Sequence, residues 1–156
     1  MTIDENLAAL GVTLPGPYPP HDPLDAVVIH GGVARTSGQL PRDHDGQLVN
    51  PGTLGIDVSI EQGAEAARWC ALNALSVLRS ELGSLDRIER VLTVLAFVSC
   101  AQGFEAQPAV VDGASRLLHE VFGAAGRHSR SAVGVSALPR GGAVEIEVAV
   151  ALRGED

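Results

Sequence analysis

The chain is 156 residues long, the size of one domain built around one hydrophobic core. With 46% hydrophobic and only 3% aromatic residues it is not a disordered chain, and Val, Leu, Ile and Ala must build that core. A formal charge of −8 repels phosphate, which argues against nucleic acid and anionic membrane as partners.

Residues 1–25 are dense in proline (Pro15, Pro17, Pro19, Pro20, Pro23). Fixed φ angles and missing N–H donors predict an extended arm there, ahead of a single domain over residues 26–156. The start Met1-Thr2-Ile3-Asp4-Glu5 is acidic where a signal peptide is basic, and no apolar run reaches the roughly 18 residues of a membrane span. A cytoplasmic protein is therefore expected. Cys70 and Cys100 lie in apolar runs without metal-ligand spacing and read as reduced, buried thiols. No Walker loop, dinucleotide fingerprint, nucleophile elbow or zinc motif occurs, so neither a metal nor a cofactor is expected.

Ala26–His30 and Val33–Ser37 flank Gly31-Gly32, the pattern of a tight hairpin. Leu40 to Gly55 reads as loop, turning at Asp43-His44-Asp45-Gly46. Ser59 and Gln62 form a capping-box pattern ahead of the stripe Ile60, Ala64, Ala67, Ala71, Leu75, Leu78, Leu82, which predicts a helix ended by Gly83. Val91–Val98 is nearly continuously apolar and predicts a central strand covered on both faces. A second helix is predicted from Pro108, with Val111, Ala114, Leu118 and Val121 inward and Gly123 as its stop. Two further strands, Ser131–Leu138 and Ala143–Leu152, flank Pro139-Arg140-Gly141-Gly142. The order β-β-α-β-α-β-β predicts an α+β sandwich with both helices on one sheet face.

The last strand places Val144, Ile146, Val148, Val150 and Leu152 on one face and Ala143, Glu145, Glu147, Ala149 and Ala151 on the other. Alanines beside isolated carboxylates suit neither a dry core nor open water, so a second subunit is expected to cover that face.

Candidate chemistry rests on few residues. Arg130, at the mouth of an apolar strand, offers a rigid fork that grips a carboxylate with two charge-assisted hydrogen bonds. It reads either as an anchor for a small carboxylic acid or as a strand-end arginine paired with a neighbouring acid. Glu145 and Glu147 read either as proton-transfer acids, raised in pKa by the alanines around them, or as members of an intersubunit salt bridge. Ser37-Gly38-Gln39 either faces a ligand or ends a strand with local hydrogen bonds. The five histidines read as surface or loop residues. A hairpin around residues 139–142 would set Arg130 opposite residue 151, roughly 20 Å from Glu145. The two would then share a ligand only across a subunit boundary, or if the two strands do not pair in that register; of these an interface pocket is predicted.

Ser37-Gly38-Gln39-Leu40-Pro41, Arg130-Ser131-Ala132-Val133-Gly134-Val135 with Leu138-Pro139, and Val144-Glu145-Ile146-Glu147 resemble the RidA (YjgF) family in order and spacing, over residues 24–152. Asp112-Gly113-Ala114-Ser115, Phe122-Gly123 and His128-Ser129-Arg130 look like a branch distinct from its archetype. The resemblance implies a chorismate-mutase-like fold and a homotrimer with ligand pockets between subunits. It also implies cofactor-independent hydrolysis of small enamine and imine acids to 2-keto acids and ammonia. By position Arg130 matches the substrate-carboxylate arginine, Glu145 the catalytic glutamate, and Ser37 a substrate-side serine. Asp112 stands at the place of a pocket asparagine, Ala132 at that of a cysteine, and Leu24, by counting, at that of a tyrosine. The implied partner is a small carboxylate-bearing metabolite. A non-catalytic carboxylate-binding trimer, a sensor or scavenger, is the alternative; an endoribonuclease, an activity also attached to some members, is disfavoured by the negative charge.

Overall fold

The computed structural model describes residues 1–154. Its elements are α1 (Ile3–Ala9), β1 (Val27–His30), β2 (Val33–Thr36), α2 (Ile60–Leu82), β3 (Ile88–Ser99), α3 (Gln107–Phe122), β4 (Ser129–Val135) and β5 (Val144–Leu152). The strands form one sheet in the order β1-β2-β5-β3-β4, antiparallel except for the β3–β4 pair. Helices α2 and α3 pack side by side on one face. No helix among the described residues is long and apolar enough to cross a membrane.

Local chemistry sets the helix ends. Ser59 Oγ accepts from the Gln62 N–H at 3.1 Å while Gln62 Oε1 accepts from the Ser59 N–H at 2.9 Å, a reciprocal cap. Gly83 closes α2 at φ +79°, a conformation that costs a side chain energy. The apolar stripe of α2 is buried from Ala67 to Leu82, and Val111, Ala114, Leu118 and Val121 of α3 are fully buried against it. The helices approach closely at Gly113, where a Cβ would stand 1.9 Å from the Ala64 carbonyl oxygen.

Three expectations are corrected. The N-terminal arm is not extended throughout, for Ile3–Ala9 is helical. Thr2 and Glu5 form a capping box, and Leu7 and Leu14 are buried. Proline density begins only at Pro15, so nothing in the first nine residues opposes a helix.

The last two strands do not form a hairpin. β4 follows α3 in a crossover from β3 and so lies parallel to it, Arg130 beside Val94 and Ala132 beside Ala96. β5 lies on the other side of β3, with Glu145 beside Phe97 and Val148 beside Val94. Burial explains the choice: Val144, Ile146, Val148 and Val150 are wholly buried and need a strand on each side, whereas β4 carries Ser, Arg and Gly at the sheet edge.

Finally, β3 is an interior strand but is covered on one face only. Val91, Val94, Ala96 and Val98 are fully buried under the helices, while Leu95 and Phe97 point to the opposite face and are partly exposed. Glu145, Glu147 and Ala149 share that second face, on which none of the described helices packs.

Substituting Gly113→Ala should force α2 and α3 apart and cost about 1–3 kcal/mol, read as a lowered urea midpoint with an unchanged slope. A stability equal to that of the parent would show that the helices do not depend on this approach.

Candidate functional site

A cavity of about 500 Å³ opens where β2 runs past the N-terminal end of β5. Its walls include Ser37, Gly38 and Gln39 after β2, Glu145 on β5, Tyr18 and Leu24 of the arm, Arg42 of the following loop, and Arg140. The chain beyond β2 is pinned to β5 by two backbone bonds, Gln39 N–H to Ile146 O at 2.8 Å and Ile146 N–H to Gln39 O at 3.1 Å. That pairing lays the Glu145 side chain over Gly38. A Cβ at position 38 would stand 2.0 Å from Glu145 Oε1, so only glycine admits the carboxylate here.

Glu145 is half-buried, and its carboxyl is pushed above the usual carboxylate range, first by desolvation and then by the Glu147 charge on the same face. Burial likewise pushes up the Cys70 thiol, with the Glu145 charge adding to it. Cys70 donates to the Val144 carbonyl at 3.4 Å and is fully buried, whereas Cys100 is only partly covered. The Ser37 hydroxyl donates to Asp25 O at 2.6 Å, which leaves its oxygen as an acceptor toward the cavity.

Tyr18, too far from Ser37 in sequence to match the family tyrosine, and Leu24, which counting puts at that position, both reach this cavity. The Tyr18 hydroxyl donates to Asp43 O, and the Arg42 guanidinium lies 5.6 Å from the Tyr18 ring centre.

Arg130 lies elsewhere. Beside Val94 it points to the helix-covered face, where Nη1 donates to Asp112 Oδ1 at 2.9 Å and to Ser115 Oγ at 3.1 Å. Ser115 Oγ is 2.9 Å from His128 Nε2, and His128 Nδ1 is 2.6 Å from Gly126 O. A carbonyl only accepts, so His128 carries a proton on Nδ1, and Nε2 is left to hydrogen-bond the Ser115 hydroxyl. Asp112 also lies 3.9 Å from Arg116. The residues of the branch pattern thus hold one another: Asp112, Ser115 and His128 surround Arg130, and His128 is a partly buried network member rather than a surface histidine.

The structure therefore brings Ser37 to Glu145 and Asp112 to Arg130, and keeps the two pairs apart. Arg130 and Glu145 belong to opposite faces, three residues and two strand spacings distant, roughly 14 Å between backbones. The register placing Arg130 opposite residue 151 is replaced, yet the two still do not meet on one ligand within a chain. Ala132, beside Ala96, faces the core and offers no polar atom. Sequence reasoning overlooked Arg42 and Arg140 as wall residues; the backbone of Arg140 at φ +59° was not legible from Pro139-Arg140-Gly141. No group of three His, Cys, Asp or Glu among the described residues is placed to hold a metal ion.

The raised Glu145 pKa has a signed consequence for stability. Since the fold disfavours the ionised form, the stabilisation is complete below the unfolded pKa and is lost as pH rises through the folded one. Glu145→Gln should therefore melt above the parent at neutral pH, with the gap closing as pH falls through the carboxylate range. A gap independent of pH would exclude this origin.

The family model described as "YjgF/chorismate mutase-like, putative endoribonuclease" matches residues 4–146. Protein TCP17 of Trypanosoma cruzi is 41% identical over 148 residues, 94% of this chain and 92% of that protein. The crystal structure of Atu1372 from Agrobacterium tumefaciens, a protein of unknown function, shares 36% identity at a TM-score of 0.89, covering 98% of this chain and 94% of that one. A structure from Shewanella oneidensis, named a putative endoribonuclease, shares 32% identity at a TM-score of 0.93, covering 97% and 100%. Matched along nearly its whole length in sequence and in fold, the chain belongs to the YjgF/chorismate mutase-like family.

Proposed function

We propose that the chain hydrolyses small imine and enamine acids to 2-keto acids and ammonia without a cofactor, at the cavity holding Glu145. The observation that carries this reading is the placement of Glu145: a half-buried carboxyl with a raised pKa, laid on Gly38 in the cavity that Ser37 also lines. Such a carboxyl holds its proton to higher pH than a free glutamate does, which suits a residue that must give and take one proton. The protonated carboxyl donates to the imine nitrogen or to the enamine carbon, and either transfer gives the iminium. The resulting carboxylate then takes a proton from the water that attacks the C=N carbon. The carboxyl passes that proton to the carbinolamine nitrogen, the C–N bond breaks to release ammonia, and the carboxylate takes the hydroxyl proton as the C=O forms, which restores its starting state. Water is the only co-reactant, and such substrates already hydrolyse slowly unaided, so positioning and proton transfer suffice.

The uncovered sheet face supports self-association, proposed here as a homotrimer, because Leu95, Phe97 and Val133 share it with the acids of β5 and are left partly exposed or exposed by one chain. In the assembly proposed, the β4 edge of one copy, with Arg130 and Asp112, would border the cavity of the next, as the interface pocket that the family resemblance implies. A cytoplasmic location goes with this reading, since the imine and enamine acids it acts on arise in metabolism there.

One observation favours binding without turnover. Ala132 faces the core and leaves that position without a group to place water, and the Arg130 charge is already met by Asp112. A carboxylate sensor or scavenger would look like this. The endoribonuclease named in the family's description and for the Shewanella oneidensis structure is disfavoured by the chain's charge of −8.

An imine generated in situ by an amino-acid oxidase tests the proposal. The protein should accelerate keto-acid release over buffer, and Glu145→Gln should slow it by about 10²- to 10⁴-fold. Saturable 2-oxobutyrate binding without acceleration would replace catalysis by the sensor reading.

A further inference from the structure

We infer that Arg42, from the same chain that supplies Glu145, holds the carboxylate of the ligand in this cavity. The inference rests on the reading of the cavity above and names its anchor. Arg130 is poorly free for that task. Its Nη1 is shared between Asp112 and Ser115, Nη2 reaches Pro108 O at 3.4 Å, and only about a fifth of the side chain is exposed. An incoming anion would have to displace Asp112 or approach against its charge.

Arg42 presents the opposite situation. Among the described residues no carboxylate lies within ion-pair distance of it, and its one side-chain hydrogen bond is a long one, Nη1 to Gly46 O at 3.3 Å. A guanidinium has five N–H donors, so most remain for a ligand. It is nonetheless held in place. The Tyr18 ring lies under it, the Tyr18 hydroxyl is tied to Asp43 O, and the Arg42 carbonyl accepts from Asn73 Nδ2 at 2.8 Å. An anchor positioned before binding loses less freedom when it binds.

The charge of the cavity agrees. Its lining contains one acid, Glu145, whose ionised form is disfavoured, against two guanidiniums, Arg42 and Arg140. In a chain of charge −8 that is a local surplus of positive charge, which selects an anion. Arg140 adds a second sign. It stands at φ +59° and ψ +17°, a left-handed conformation that suits glycine, yet an arginine occupies it on the cavity rim. Arg42 thus fits the carboxylate of a small 2-keto or 2-imino acid, with Arg140 as an outer cation.

Calorimetric titration of the full chain with 2-oxobutyrate tests this independently of turnover. Arg42→Ala should weaken binding by about 10- to 100-fold. Arg42→Gln, which keeps the stem over Tyr18, should do the same if alanine unfolds the loop, and Arg42→Lys should recover part of the loss. The double variant Asp112→Asn/Arg130→Gln, neutral in net charge, should lose less than Arg42→Gln does. Arg140→Gly should weaken binding while its melting temperature stays level or rises by about 2 °C, the sign of a side chain kept for the ligand at the expense of the backbone. The reverse order of losses, or no saturable binding of 2-oxobutyrate by the parent, would overturn the assignment. Binding that depends on Arg42 without imine turnover would instead sink the hydrolase and leave the anchor standing.

Discussion

Strand β5 is hydrogen-bonded along both edges, to β2 on one side and to β3 on the other, and its helix-facing row Val144, Ile146, Val148, Val150 is wholly buried. Alternation then obliges Glu145 and Glu147 to the far face, near one another and partly desolvated. The same pairing carries the chain after β2 along the start of β5, and Gly38 comes to rest under the Glu145 carboxyl because no side chain intervenes. The cavity is therefore a product of the central strand's position. β4 in turn is left at the edge, where Arg130 falls under α3 rather than beside Glu145.

Two guanidinium environments follow, and they differ in what surrounds the charge more than in geometry. Around Arg130 a carboxylate, a hydroxyl and a histidine have been assembled from α3 and the turn before β4, and the network is closed upon itself. Around Arg42 the neighbours are a ring, a carbonyl and open cavity. A buried or half-buried cation with its partner supplied is a structural element, whereas the Arg42 guanidinium keeps most of its donors available to a ligand. Asp112 is what converts the first site, for an asparagine there would leave the Arg130 charge unmet.

The elements that were legible are those encoded by neighbours in the chain. Ser59 and Gln62, Gly83, Pro108 and Gly123 marked the ends of the two long helices within a residue or so. The alternation of β5 separated its buried row from its acids before any partner was known. The short helix α1 carried an equally local signal in Thr2 and Glu5, obscured by the prolines that follow. At the site, Glu145 and Ser37 were found and do converge. Arg130 and Asp112 were found and converge on each other, which residue spacing does not reveal. Arg42 and Arg140 sit in polar loop sequence of the kind that surrounds any strand, and nothing in their immediate neighbours distinguishes them.

By itself, then, the order of residues determined the helices, the strands, which row of each is apolar, and the family to which the chain belongs. Caps, turns and periodicity act over a few residues, where the chain's connectivity keeps the interacting groups together. Which strand lies beside which was decided only in three dimensions. β4 and β5 are both short and β-prone with a turn between them, and a hairpin satisfies every local rule. The tertiary structure prefers to insert β3 because the fully apolar row of β5 needs a partner on each side, and because the crossover through α3 returns the chain parallel to β3. That non-local preference is what separates Arg130 from Glu145 and gives the cavity its own arginine.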